Sequence, residues 1–294
     1  MKTNLLETQS VRQIDIIKIK DNSSFPYTDD VSVEEPLEIR ISYGVGNQRE
    51  YKNISVTMRT PGHDAELAVG FLFTEGIISR YQQIKKIDHP QAECSKNREN
   101  IIEVELAEDC IPHLMNADRN FYTTSSCGVC GKGSIESIKT VSSFQNIERK
   151  KQSVTIETLY QLSGNLQEFQ NNFSATGGIH ASGIFDFNGN LLAVREDVGR
   201  HNALDKLIGH TLFTEQLPLQ DIILVLSGRA SFELIQKAAM AGISMVAAIG
   251  APSSLAVDLA KEFDITLLGF LRDNRLNIYN KSNFHDIITK QQTP

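Results

Sequence analysis

Two thiols separated by two small residues stand at Cys127-Gly128-Val129-Cys130, with Gly131-Lys132 directly behind them. Thr123 to Ser126 in front are all small hydroxyl residues, and no apolar periodicity crosses the stretch, so it reads as an exposed loop. The spacing lets both sulfurs reach one metal, one disulfide or one passing sulfur atom. Lys132 and the flanking backbone N–H groups favour the thiolate, which is the nucleophilic form. Four chemistries are open. Structural zinc needs two more ligands, and the chain has neither a second Cys-x-x-Cys nor a His-x-x-x-His. A thioredoxin-like redox pair belongs at a helix N-terminus within a different order of elements. Chance pairing is the third. The fourth, a nucleophilic thiol that carries sulfur as a persulfide, takes most of the weight. Gly131-Lys132 does not end a P-loop, because Ser126 stands where Gly is needed and Gly133 where Ser or Thr is needed. Cys94 and Cys110 stand alone and read as small buried hydrophobes or ordinary surface thiols.

Three further segments offer groups for an anion. Ser227-Gly-Arg229-Ala-Ser231 and Gly250-Ala-Pro-Ser253-Ser254 each join an expected strand to an expected helix. Small residues there let backbone approach a ligand, and a helix N-terminus presents unpaired N–H groups. Arg229 adds a fork suited to phosphate. Ordinary capping by Ser and Gly explains the second turn alone, while for both turns with Arg229 the two readings stay open. Gly269-Phe270-Leu271-Arg272-Asp273-Asn274-Arg275 continues to Tyr279 and reads as strand, Asp-Asn turn, strand. Arg272 and Arg275 flank the turn and suit a phosphate or a guanine edge, against the alternative of a solvated charged tip. His180, Glu196, Asp197, Arg200 and His201 flank an expected hairpin and can form a polar cluster, with a salt-bridged cap as the competing account for each.

These groups need a scaffold. Residues 11–20, Leu37 to Tyr43 and Ile54 to Met58 alternate apolar with polar, as half-buried strands do, and Gly44 and Gly46 punctuate a hairpin between the last two. A helix is expected from Asp64 to about Gly76 and a strand over Ile101 to Leu106, so the front part reads as α+β. Periodicity fails from Asp109 to Lys132. The expected division is a smaller domain over residues 1–120 and a larger one over 121–294 that begins with the thiol loop. In the second part a short helix is expected over Ile135–Val141 and a longer one over Ile156–Phe169. A hairpin follows over Ile179–Phe187 and Leu191–Arg195. Helices are then expected over Asn202–Phe213, Ser231–Ala241 and Ser253–Phe263, alternating with strands over Asp221–Leu226, Ile243–Ile249 and Ile265–Phe270. Ile222 to Leu226 is an unbroken apolar run, which a parallel strand covered on both faces requires. The pattern gives an α/β fold, with a three-layer sandwich and mixed sheet in the second part.

A net charge of −7 argues against a generally basic surface for nucleic acid. Met1 to Ser10 lacks the apolar core of a signal peptide, and Ile222–Leu226 is too short to cross a bilayer, so a cytoplasmic protein away from membranes is expected.

Taken together, Cys127-Gly-Val-Cys-Gly131, Thr176-Gly-Gly-Ile-His180, Arg195-Glu-Asp-Val-Gly-Arg-His-Asn-Ala-Leu-Asp-Lys206, Ser227-Gly-Arg229 and Gly269-Phe-x-Arg-x-x-Arg-x-Asn-x-Tyr279 resemble the formate dehydrogenase accessory family, the sulfurtransferases called FdhD. The resemblance covers most of the chain and is weakest before residue 35 and around 80–120. It implies a sulfur carrier that takes a persulfide from a cysteine desulfurase. The sulfur then passes to the molybdenum of a bis(molybdopterin guanine dinucleotide) cofactor before that cofactor enters apo formate dehydrogenase. It also implies Cys127 as the persulfide carrier and Cys130 as relay or resolving thiol. The guanine dinucleotide maps to Phe270, Leu271, Arg272, Asp273, Asn274 and Arg275, with Arg229 from the anion-site reading beside them. No resident metal is expected, and a homodimer is. The second part would resemble the cytidine deaminase fold, but no His-x-Glu and no Pro-Cys-x-x-Cys occurs, which argues against deamination. A cofactor-holding chaperone with an incidental or zinc-binding thiol pair is the alternative function.

Overall fold

The computed structural model describes residues 10–90, 98–114, 121–122, 144 and 148–289. Cys94, Cys127 and Cys130, the expected helix over Ile135–Val141 and the expected boundary near residue 120 lie outside them. Strand β1 (Val11–Lys20) pairs antiparallel with β2 (Ser23–Ser32) through Asp21 and Asn22, whose φ values of 50° and 62° suit a two-residue hairpin turn. The alternation in β1 promised a half-buried strand. It is instead mostly exposed, with Ile17 and Ile19 at 74% and 75%, because the ribbon joins no other strand among the described residues. The sequence reading also missed β2, whose Pro26 and Asp29-Asp30 break the apolar alternation.

Strands β3 (Glu35–Tyr43) and β4 (Glu50–Arg59) are the expected hairpin. Helix α1 (Asp64–Thr74) follows Pro61-Gly62, with Asp64 and Glu66 in its first turn complementing the helix dipole. Strands β5 (Ile84–Asp88), β6 (Ile101–Leu106) and β7 (Phe121–Tyr122) complete a five-stranded sheet in the order β5-β6-β3-β4-β7. Leu37, Ile39 and Ile41 are fully buried on one face, as their spacing requires.

The second part opens with β8 (Gln152–Thr155) and α2 (Ile156–Glu168), where the Thr155 hydroxyl accepts from the Thr158 N–H at 3.1 Å. Next come α3 (Asn171–Thr176), β9 (His180–Phe185), β10 (Leu191–Asp197) and α4 (Arg200–Phe213). The chain finishes through β11 (Ile223–Leu226), α5 (Phe232–Met240), β12 (Met245–Ala248), α6 (Ser254–Glu262), β13 (Thr266–Arg272), β14 (Arg275–Asn280) and β15 (His285–Ile288). The main sheet runs β10-β9-β11-β12-β13-β14, with β11, β12 and β13 parallel and the outer pairs antiparallel. Helix α2 covers one face, through Leu159, Leu162 and Leu166 against Phe185, Val225 and Leu268. Helices α4, α5 and α6 cover the other. The result is a mixed α/β architecture.

The same apolar cluster joins Leu204 and Leu207 of α4 to Leu67 and Leu72 of α1 and on to β3 and β6. Two glycines permit this contact. A Cβ at Gly70 would fall 1.8 Å from the Asp205 carbonyl oxygen, and one at Gly209 would fall 1.9 Å from that of Glu66. No helix among the described residues is long and apolar enough to cross a membrane.

Candidate functional site

Three turns at the carboxyl ends of the parallel strands are stitched side by side. Gly250 N–H donates to the Gly228 carbonyl at 2.9 Å, Ser253 N–H to Ala230 at 3.0 Å, and Phe270 N–H to Gly250 at 3.1 Å. Arg229 and the Phe270–Arg275 hairpin therefore share one edge of the sheet, where open α/β folds place ligands. Arg272, Asp273, Asn274 and Arg275 are exposed. The Leu271 side chain is fully buried in the α2-side core, so it can meet a ligand only through its backbone. Phe270 holds φ at 53°, a conformation that bulky residues seldom adopt, and the Arg275 guanidinium lies 5.9 Å from its ring centroid.

The glycines of these turns serve the turns themselves. A Cβ at Gly250 would press on Arg229 at 2.9–3.0 Å, and one at Gly269 would meet Tyr279 and Pro252 at 2.8 and 2.9 Å. Ser231 and Ser253 cap α5 and α6, accepting from Leu234 and Ala256 N–H groups at 3.5 and 3.2 Å. Ordinary capping accounts for both serines.

The polar string from Arg195 to Lys206 is mostly internal scaffolding. Arg195 holds Glu66 of α1, with its Nη2 2.7 Å from Oε1. Burial alone would raise the Glu66 pKa, but Arg195 and His63 overcome it and hold the carboxyl down to about 2. Glu196 accepts from the Asn172 and Phe173 N–H groups at the start of α3, both at 2.9 Å. Asp197 is fully buried. One of its oxygens takes Lys206 Nζ at 2.7 Å and Thr60 N–H at 3.1 Å, and the other takes Gly199 N–H at 2.8 Å and Asn202 Nδ2 at 3.1 Å. Asp205 binds Lys237 Nζ at 3.0 Å and accepts from the Thr74 hydroxyl at 2.8 Å. Burial opposes the Lys237 charge, but Asp205, Glu75 and Glu233 prevail, so the ammonium stays protonated.

His180, Arg200 and His201 are the remaining members of the expected cluster. His201 Nε2 lies 3.2 Å from the Ser231 hydroxyl and 3.3 Å from Glu233, and burial followed by the Arg200 charge pushes its pKa down to about 3. His180 pairs across the sheet with Asp197, and its ring rests on the Gly228 turn. The partners of the string, Thr60, Glu66, Thr74 and Lys237, lie outside every local motif, 32 to 146 residues away from the residues they hold. No local signal marked them. Cys110 is buried, and burial pushes its thiol pKa up, as suits an inert small hydrophobe. Among the described residues no group of three or more His, Cys, Asp or Glu is placed to hold a metal.

A family model described as FdhD/NarQ matches residues 32–285. The chain belongs to the FdhD/NarQ family. It is 47% identical over 253 residues to a protein of Mycolicibacterium paratuberculosis named sulfur carrier protein FdhD, covering 85% of this chain and 90% of the relative. A protein of the same name from Streptomyces coelicolor is 44% identical over 266 residues, covering 90% and 92%. A crystal structure from Desulfotalea psychrophila, of a protein described as a formate dehydrogenase accessory protein, superposes with a TM-score of 0.70 at 21% identity. It covers 95% of this chain and all of that one, and it speaks for the fold. In this FdhD/NarQ protein the crevice residues and the buried string lie within the matched span.

Proposed function

We propose that this protein is a cytoplasmic sulfur carrier that serves formate dehydrogenase. The observation that carries the reading is membership of a family whose named relatives are sulfur carrier proteins, in a chain that holds the thiol pair Cys127 and Cys130. Cys127 is the carrier. Its thiolate attacks the outer sulfur of a cysteine desulfurase persulfide. A new sulfur–sulfur bond forms on Cys127 and the donor's own bond breaks. The electron pair leaves with the donor thiolate, which takes the proton that Cys127 lost. Cys130 relays or resolves the persulfide.

The sulfur passes to the molybdenum of a bis(molybdopterin guanine dinucleotide), here a substrate, before its insertion into apo formate dehydrogenase. Phe270 to Arg275 and Arg229 hold the dinucleotide. The support is their shared edge and the cationic pair Arg272 and Arg275 at an exposed turn. Two copies of the chain act together, and the mixed sheet between helices supports reading the second part as deaminase-like in fold alone. In a strain lacking its own carrier, Cys127→Ala is expected to abolish formate dehydrogenase activity while guanosine diphosphate binding persists. Arg272→Ala with Arg275→Ala is expected to weaken that binding at least tenfold, about 1.4 kcal/mol. Full activity with both cysteines replaced would favour a cofactor-holding chaperone.

A further inference from the structure

The β1–β2 ribbon joins neither of the two large sheets among the described residues. Its base is tied to α3, where the Ser32 hydroxyl lies 3.0 Å from Asn172 Oδ1 and 2.7 Å from the Thr176 hydroxyl. From Arg12 to Asp29 every residue except Ile16 is exposed. All but the last residue of the ribbon precedes the span that the family model matches, which starts at residue 32. A lone two-stranded hairpin is marginal in water, and a third strand or a packed face normally supports one. Here Ile14, Ile16, Ile17 and Ile19 crowd one strand, with Ile17 and Ile19 the most open to solvent.

The two edges of the ribbon differ. Val33 N–H donates to the Ser10 carbonyl at 2.9 Å, which fixes the phase of the ladder. Even-numbered residues of β1 therefore bond to β2, while Gln13, Asp15, Ile17 and Ile19 turn their N–H and C=O groups outward. Among the described residues nothing but β2 bonds to the backbone of β1. On the other strand, Pro26 opposes Ile17 and so stands at an outward-facing position, where it has no N–H to give. Asp29 and Asp30 follow it. Pro and adjacent charges keep a further strand off the β2 edge, and β1 carries no Pro and no acidic pair. The edge left open to pairing is that of β1.

We propose that the open edge of β1 pairs antiparallel with β1 of a second copy, about a two-fold axis at Ile17, giving a four-stranded sheet shared by the two chains. The inference rests on the reading that two copies act together, and it names the surface through which they meet. A two-fold axis presents one patch to itself, which an antiparallel strand satisfies. With Ile17 on the axis, Ile17 of each copy exchanges both backbone bonds with Ile17 of the other, and Asp15 does the same with Ile19. All of these belong to the outward-facing set. Between them Ile16 faces Lys18, Ile14 faces Lys20, and no like charges are opposed. An axis at Ile16 would set Arg12 against Lys20, and an in-register parallel pairing would set each charge beside its own copy.

The test is sedimentation velocity of the full-length protein across the micromolar range, for the unmodified chain and for Ile17→Lys. The unmodified chain is expected to dimerise. Ile17→Lys opposes two ammonium groups on the axis and is expected to weaken the dimer by about tenfold or more. Its circular dichroism should match the parent, because the side chain it replaces is exposed. A second readout checks the register. Under mild oxidation Ile17→Cys is expected to link two copies through position 17, located by peptide mass spectrometry, because opposed Cα atoms there stand about 5.5 Å apart. Ile19→Cys is expected to give no such link, since its two copies lie about 13 Å apart along the strands. A dimer equally strong in Ile17→Lys, no link at position 17, or links as frequent at position 19, overturns the pairing and leaves the two-copy reading intact. An unmodified protein that stays monomeric throughout overturns both.

Discussion

Asp197→Asn isolates what holds the crevice in place. The change is nearly isosteric, yet both carboxylate oxygens are fully used. One takes Lys206 Nζ at 2.7 Å and Thr60 N–H at 3.1 Å, and the other takes Gly199 N–H at 2.8 Å and Asn202 Nδ2 at 3.1 Å. An amide offers one acceptor oxygen, so its NH2 must face either the Thr60 or the Gly199 N–H. In either orientation Lys206, 1% exposed, loses the opposing charge and keeps the Thr60 carbonyl at 2.8 Å. Breaking a buried pair from one side costs about 3–5 kcal/mol. At roughly 2–4 °C per kcal/mol, the melting temperature should fall by on the order of 10 °C. The chain has no Trp, so far-UV circular dichroism is the suitable probe. Adding Lys206→Met removes the stranded cation, and the double variant should regain part of the loss. A single variant within about 1 kcal/mol of the parent, or a double variant that loses the full sum, would refute the reasoning.

Acid should weaken the fold in two stages. Burial and then Arg149 hold His285 at about 4, below the ordinary value near 6.5, where it lies against the Ser244 and Thr266 hydroxyls. The unfolded chain protonates first, so stability is whole above about pH 6.5 and declines toward pH 4, and His285→Gln should flatten that slope in urea titrations. Glu66 is held at about 2, so its share is whole above about pH 4.5 and is lost as pH falls toward 2. Gly70→Ala and Gly209→Ala each drive a Cβ to within 2 Å of a carbonyl oxygen on the facing helix, and each should cost about 1–3 kcal/mol or more by thermal unfolding.

Periodic segments were legible in the sequence because burial imposes a period. The run over Ile222–Leu226 became a fully buried parallel strand over Ile223–Leu226, and the Ile101–Leu106 strand matched its expected bounds. Strand β8 and its parallel partner β15 were not legible, since four residues carry too little pattern, and their pairing depends on residues more than 130 positions apart. At the site, Arg229 and the Phe270–Arg275 turn, each expected at the carboxyl end of a strand, lie on one edge of the sheet. The polar string was readable either as a site or as a salt-bridged cap, and the cap reading fits most of it. Its density left chemistry open, whereas most of it ties α4 to α1, to the end of β4 and to α5, and β10 to α1. Only tertiary contacts separate His180, which has no ring partner among the described residues, from Asp197, which has four.

The central claim is sulfur carriage by one cysteine. Incubation of the purified protein with a cysteine desulfurase and cysteine, followed by peptide mass spectrometry, tests it most directly. A one-sulfur adduct on the peptide holding Cys127, lost in Cys127→Ala, is the predicted result. An unmodified Cys127 and Cys130 after full desulfurase turnover would contradict the account.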